Sequence, residues 1–438
     1  MNTDDTNPRP RGSALLPLGL FFALYLVTFA FTGDLSRMPV VIAFLLTAVA
    51  AVCFSKGSVS QRVGVFCRGA ANETILLMVV IFILAGAFAG SAKAMGAVDA
   101  TVQIALQILP QNMIPAGLFL AACFVSMSMG TSCGTIAALT PIAVGLSPQI
   151  GMSLPAMIGI VVGGAMFGDN LSFISDTTIV ATRTQGVRMR DKFIVNLRIV
   201  LPAALLATLL YVWQGLGLRQ GMTEGAELSW VRMIPYVVVL VAAMAGVNVM
   251  TVLLSGFFLC GLIGLADGGF TVWEWAKATH GGIVGDMGEL IIVSLMAGGL
   301  FEVIRRNGGV EWLVRKLTRS IQSRRKAEGS LAVLTMLTNL CTANNTIALI
   351  IVGPIARKIG DEYRIDGRRT ASLLDTFSCF TQGMIPYGAQ LLIASGLAGG
   401  VGPAEIVPYL YYPFLIGLAS IAAILFQYPR RYTGSVGR

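Results

Sequence analysis

Apolar runs of close to 20 residues recur along this chain, separated by short polar segments that hold most of its arginines and lysines. Each run is long enough for a helix across a hydrocarbon core about 30 Å thick. The pattern predicts spans at 14–31, 39–54 and 74–90, then a less apolar stretch at 94–110 lying in the interface. A span at 193–216 follows, two more share 233–266 with a turn near Asn248, and others cover 285–304 and 404–426. Between them, 267–282 carries Trp273 and Trp275, the residue type that anchors helices at the membrane surface.

Two kinds of run break this pattern. The apolar stretch 113–147 is interrupted by Thr131-Ser132-Cys133-Gly134-Thr135, and 331–356 by Thr342-Ala343-Asn344-Asn345-Thr346. Each reads as a re-entrant hairpin with a polar tip, since irregular backbone at membrane depth needs cover from protein or water. The stretches 154–185 and 371–398 read as broken helices. The first contains Gly168-Asp169-Asn170-Leu171-Ser172-Phe173-Ile174-Ser175-Asp176-Thr177-Thr178, the second Asp375 through Gly383. The expected fold is an all-α polytopic membrane protein with about ten transmembrane helices plus two re-entrant hairpins.

Composition agrees: 55% of the 438 residues are hydrophobic and 12% charged, against about 25% charged in soluble domains. The net charge of +9 reflects segments such as Lys56/Arg62/Arg68, Arg183/Arg188/Arg190/Lys192/Arg198, 305–326 and Arg357/Lys358/Arg364/Arg368/Arg369. These mark cytoplasmic ends by the positive-inside rule rather than a nucleic-acid surface. Both termini are thereby expected in the cytoplasm of a cell-membrane protein, with the first span retained. Seven scattered cysteines without a C-x-x-C, and a single His280 read as a loop residue, offer no disulfide or metal framework.

The halves resemble one another. Leu84-Ala85-Gly86 matches Met296-Ala297-Gly298, Thr131–Thr135 matches Thr342–Thr346, and Gly168-Asp169 matches Thr381-Gln382, all near 212 positions apart. With the orientations above, the chain divides into a tail (1–13), a first repeat (14–217), a second repeat of inverted topology (218–427) and a second tail (428–438). Paired hairpins and broken helices in inverted repeats are a transporter architecture, with the site near the midplane.

Ionisable groups inside a membrane segment are expensive, which makes Asp169 and Asp176 a functional site by default. Asp169, Ser172, Ser175, Asp176, Thr177 and Thr178, with Asn170, supply hard oxygen donors suited to sodium. Burial and a neighbouring like charge both favour a protonated carboxylate, so one group can trade a proton for a sodium ion. Asp176, with Ser175, Thr177 and Thr178 around it, is the preferred exchanging group; its alternative role is to cap the next half-helix. Thr131, Ser132, Thr135, Asn344, Asn345 and Thr346 are hairpin-tip contacts for ion or substrate, Asp375 a candidate for proton coupling, and Gln382 a polar ligand contact. Glu73, Asp286 and Glu289 sit at span ends and reach water. No cofactor and no enzymatic nucleophile–base pair is expected, and without a nucleotide-binding pattern the driving force is an ion gradient.

The string 168–178, with Ala181-Thr182-Arg183-Thr184-Gln185-Gly186, Cys341–Thr346 and Gln382–Gln390, resembles the NhaC-type sodium/proton antiporters over most of the chain. Asn170 and Phe173 stand where better-known members carry lysine and proline. The resemblance implies a scaffold and a mobile transport domain, a homodimer, and sodium and protons as cargo. Some members exchange organic solutes, so a coupled exchanger of an amino acid or carboxylate is the alternative.

Overall fold

A computed structural model of the chain describes residues 10–32, 37–108, 110–172, 175–218, 229–245, 247–318 and 321–429; Phe173, Ile174 and the outermost tail residues lie outside this set. The described residues form helices and connections only, with no strand among them.

The first half contains α1 (Leu16–Thr32), α2 (Val40–Phe54), α3 (Val59–Ala70), α4 (Glu73–Met95), α5 (Ala97–Ile108), α6 (Ile114–Met129), α7 (Ser132–Ile150), α8 (Leu154–Leu171), α9 (Asp176–Gln185) and α10 (Met189–Leu216). The second contains α11 (Trp230–Met244), α12 (Val249–Ala266), α13 (Val272–His280), α14 (Gly288–Arg306), α15 (Gly309–Thr318), α16 (Arg324–Thr342), α17 (Asn345–Glu362), α18 (Gly367–Gln382), α19 (Ala389–Ala398), α20 (Pro403–Ile406) and α21 (Tyr411–Leu425).

Large apolar side chains face outward on the peripheral helices: Leu26, Leu209, Leu262 and Leu418 are each more than 60% exposed. Water would penalise such a surface, whereas acyl chains solvate it at no cost. At the centre, α8 is buried along nearly its whole length. It packs closely on α6 because glycines remove the side chains between them: a methyl on Gly168 would fall 2.3 Å from Ser126 Cβ and 2.5 Å from Met127 N. Gly168 therefore serves helix approach, and the break comes four residues later.

Several expectations need adjustment. In the stretch 94–110, α5 packs one face on its neighbours, burying Val102 and Ile104 while Asp99 and Gln107 stay exposed. The tail boundary lies earlier than residue 13, because Arg11 N–H donates to Gly308 O at 3.0 Å and Gly12–Leu15 forms a 3₁₀ turn. At the other end Tyr428 O accepts from Arg369. His280 ends a helix and is exposed rather than lying in a loop. With 19 residues, α7 is about 28 Å long at 1.5 Å per residue, longer than the short arm expected of a hairpin. Asn248 does cap α12, accepting from Met250 N–H. Trp273 is 83% exposed, whereas Trp275 turns inward, stacks on Phe257 and donates to Ser91.

The internal similarity has a sharper structural counterpart. Three consecutive helices start at Ser132, Leu154 and Asp176 in the first half and at Asn345, Gly367 and Ala389 in the second, each pair 213 positions apart. The residues before α7 and α17 share one backbone shape: Gly130 (φ 69°) and Ala343 (φ 50°) are left-handed, while Thr131 and Asn344 are extended. The tips therefore align Thr131 with Asn344 and Ser132 with Asn345. Matching Thr131 to Thr342 by letter alone slips the register by two.

Candidate cation site at the paired helix breaks

The helix begun at Leu154 ends where Ser172 turns extended, and it resumes behind an extended Ser175. Asp169 sits on its last turn, 5% exposed. Its Oδ1 accepts from Ser175 Oγ at 2.5 Å, and its Oδ2 accepts from Ser132 Oγ at 3.1 Å and Asn345 Nδ2 at 3.4 Å. These partners are the first residues of α7 and α17 and the N-cap of α9. Three helix N-termini, with their partial positive charge, thus meet one carboxylate. Gln390 Nε2 donates to Ser132 Oγ at 3.0 Å, and Gln382 Nε2 donates to Gln390 Oε1 at 2.8 Å and Ala343 O at 3.1 Å. Gln382 Oε1 is buried with no hydrogen-bond partner.

These groups surround a cavity of about 80 Å³, lined also by Asp176, Thr177, Thr131, Asn344 and Thr346. It is roughly half the size of the ~150 Å³ cavity that admits benzene, room for an ion and a few waters. Equivalent positions of the two halves line it together: Asp169 and Gln382, Ser132 and Asn345, Thr177 and Gln390. One half supplies a carboxylate where the other supplies an amide.

The expected cation ligands fall into three groups. Asp169, Ser175, Asp176 and Thr177 border the cavity or its carboxylate, together with Thr131, Ser132, Asn344, Asn345, Thr346 and Gln382 from the tips and second break. Asp176 is exposed on the cavity wall. It is the first residue of α9 rather than its cap, that place belonging to Ser175. Ser172 Oγ instead donates to Met127 O at 2.8 Å, and Thr135 Oγ1 to Thr131 O within its own helix. Asn170 and Thr178 face away from the cavity, into a second polar cluster.

That cluster was not anticipated. Lys192, taken from the sequence as a cytoplasmic marker, is 1% exposed and ion-paired with the fully buried Asp375. Its Nζ also donates to Asn170 O at 2.6 Å and Thr178 Oγ1 at 2.8 Å. Asn170 Nδ2 and Asn196 Nδ2 donate to Asp375 Oδ2 at 3.0 and 3.1 Å. The overlooked signal was the i, i+4 spacing of Lys192 and Asn196, which places both on one face of α10. Arg369, likewise read as a surface marker, is fully buried and bidentate on Glu328 at 2.5 and 2.8 Å. Glu73, Asp286 and Glu289 are exposed at helix ends, as expected.

A sequence model of the Na+/H+ antiporter family matches residues 14–216 and 224–428, nearly the whole chain. The chain belongs to this family. Like its relatives it is a multi-pass membrane transporter of the sodium/proton antiporter type. It is 23% identical over 448 residues to the malate-2H+/Na+-lactate antiporter of Bacillus subtilis, covering 93% of both chains. It is 24% identical over 426 residues to the Na+/H+ antiporter NhaC of the same organism, covering 88% of this chain and 91% of that one. Among solved structures, the Alcanivorax borkumensis YdaH transporter aligns with a TM-score of 0.43 at 13% identity, over 96% of this chain and 99% of that one.

Proposed function

We propose that this antiporter exchanges sodium for protons at Asp169 by alternating access. One observation carries the assignment. Asp169 is buried beside a cavity and has no lysine or arginine within ion-pair distance among the described residues, whereas Asp375 is already neutralised by Lys192. A buried carboxylate must be paired or neutralised. Sodium and a proton are the two mobile charges that can do this, and they exclude one another. With either bound, the site is neutral and can change its access; empty, it holds a bare charge in a low-dielectric interior. Ser175, Ser132, Asn345 and the unpartnered Gln382 Oε1 supply the surrounding dipoles, and Asp176 guides the ion along the cavity wall.

The matched helix starts and tip conformations support two structural repeats; their opposite topology, with both termini in the cytoplasm of a cell membrane, is inferred from the distribution of arginine and lysine. In proteoliposomes, a sodium jump should move protons without any other solute, and Asp169→Asn should abolish that movement. Preserved exchange in the variant sinks the assignment.

A coupled exchanger of a small organic acid is the second reading, favoured by the helix N-termini meeting at the site, which suit an anion. The small cavity weighs against it. Proton movement that requires an added carboxylate or amino acid would establish it.

A further inference from the structure

Far along the chain from the Asp169 cluster, a half-enclosed cavity of about 520 Å³ lies between α3, the ends of α2 and α14, and the N-terminal 3₁₀ turn. Five cationic residues line it: Arg11, Lys56, Arg62, Arg68 and Arg306. No aspartate or glutamate does. Glu302, one turn before Arg306, pairs in bidentate fashion with Arg305 instead, at 2.6 and 2.8 Å. Arg11, Lys56, Arg62 and Arg68 have no carboxylate partner among the described residues.

The walls are held in place. Arg62 Nη1 donates to Val52 O and Cys53 O at 3.0 and 2.9 Å, satisfying the last carbonyls of α2, while its Nε is buried without a partner. Asn307 Nδ2 donates to Ser55 Oγ at 2.7 Å, and a capping box between Ser58 and Gln61 fixes the start of α3. The positive-inside bias explains the sign of charge on this face. It does not explain why Arg11, Lys56, Arg62 and Arg68 converge on one concavity with no carboxylate partner among the described residues. Such an arrangement repels itself unless an anion completes it.

We propose that this cavity binds the phosphate headgroup of an anionic membrane phospholipid. A lipid is favoured over a free phosphate because exposed apolar side chains directly adjoin the lining residues Ser55, Ser60 and Arg62 in the chain: Phe54 is 83%, Val59 66% and Val63 44% exposed. Acyl chains would cover these residues while the phosphate meets Lys56, Arg62 and Arg68, the usual arrangement of basic pockets on membrane proteins.

The full-length protein, purified in detergent, is heated with phosphatidylglycerol, phosphatidylcholine or inorganic phosphate alone. Phosphatidylglycerol should raise the melting temperature by several degrees and phosphatidylcholine should not. Lys56→Gln with Arg68→Gln should erase the shift, whereas Arg188→Gln with Arg190→Gln, which removes equal charge elsewhere, should keep it. Equal protection by both lipids, or a shift that survives Lys56→Gln with Arg68→Gln, overturns the proposal. Equal protection by inorganic phosphate makes this a free-anion site and overturns the lipid assignment. Should the double variant fold poorly, native mass spectrometry of the parent from mixed bilayers decides: retained phosphatidylglycerol must exceed its share of the bilayer.

Discussion

Replacing Lys192 by methionine keeps the bulk of the side chain and removes its charge. The parent residue is 1% exposed and reaches Asp375, the carbonyl of Asn170 and the hydroxyl of Thr178. Without it, Asp375 keeps neutral donors, among them the amides of Asn170 and Asn196 and the thiol of Cys379, which stabilise a negative charge but do not cancel it. Removing one partner of a buried pair costs about 3–5 kcal/mol, whereas replacing both by apolar groups of similar volume is often neutral or better. Lys192→Met should therefore lose roughly that much stability, Asp375→Leu a similar amount, and the double variant should recover most of the loss. Reversible unfolding in mixed micelles, followed as a double-mutant cycle, measures the three differences. If Lys192→Met stays within about 1 kcal/mol of the parent, or the double variant loses the sum of the singles, Asp375 is not held by Lys192. The exclusion of Asp375 from exchange would then lose its basis.

Other consequences can be tested alongside. Gly168→Ala would push a methyl to 2.5 Å from the backbone of α6, an overpacking that should cost about 1–3 kcal/mol and lower the melting temperature without changing the ion specificity of whatever protein folds. Arg369→Met leaves Glu328 with Arg324 at 3.8 Å and the Gln427 amide at 2.9 Å, and takes the donor from the carbonyls of Ala423 and Tyr428; thermal unfolding should show a loss of about 3 kcal/mol, with Arg369→Lys losing less because it keeps the charge but not the fork. Asn345→Leu removes a donor to Asp169 and should change the sodium dependence of exchange, read as the half-saturating sodium concentration, while leaving expression intact.

The sequence by itself determined the class of the molecule. Runs of about 20 apolar residues have few solutions other than membrane helices, and polar residues inside them mark places that lipid cannot solvate. This is why Asp169, Ser175, Thr177, Asn344, Asn345 and Gln382 were all legible beforehand as parts of one site. The two helix breaks and the tips were likewise visible as interruptions of the apolar pattern.

What each polar residue faces was decided only by the tertiary structure. A helix turns about 100° per residue, so neighbours in one motif point to different partners: Asp169 meets the cavity while the Asn170 amide meets Asp375. Charge near a helix end reads as a surface marker until packing shows otherwise, and Lys192 and Arg369 were hidden for that reason. Pairings such as Asn170 with Asp375, or Ser132 with Gln390, join positions more than 200 residues apart. No local pattern encodes them, because they arise only when the two halves of the chain pack against each other.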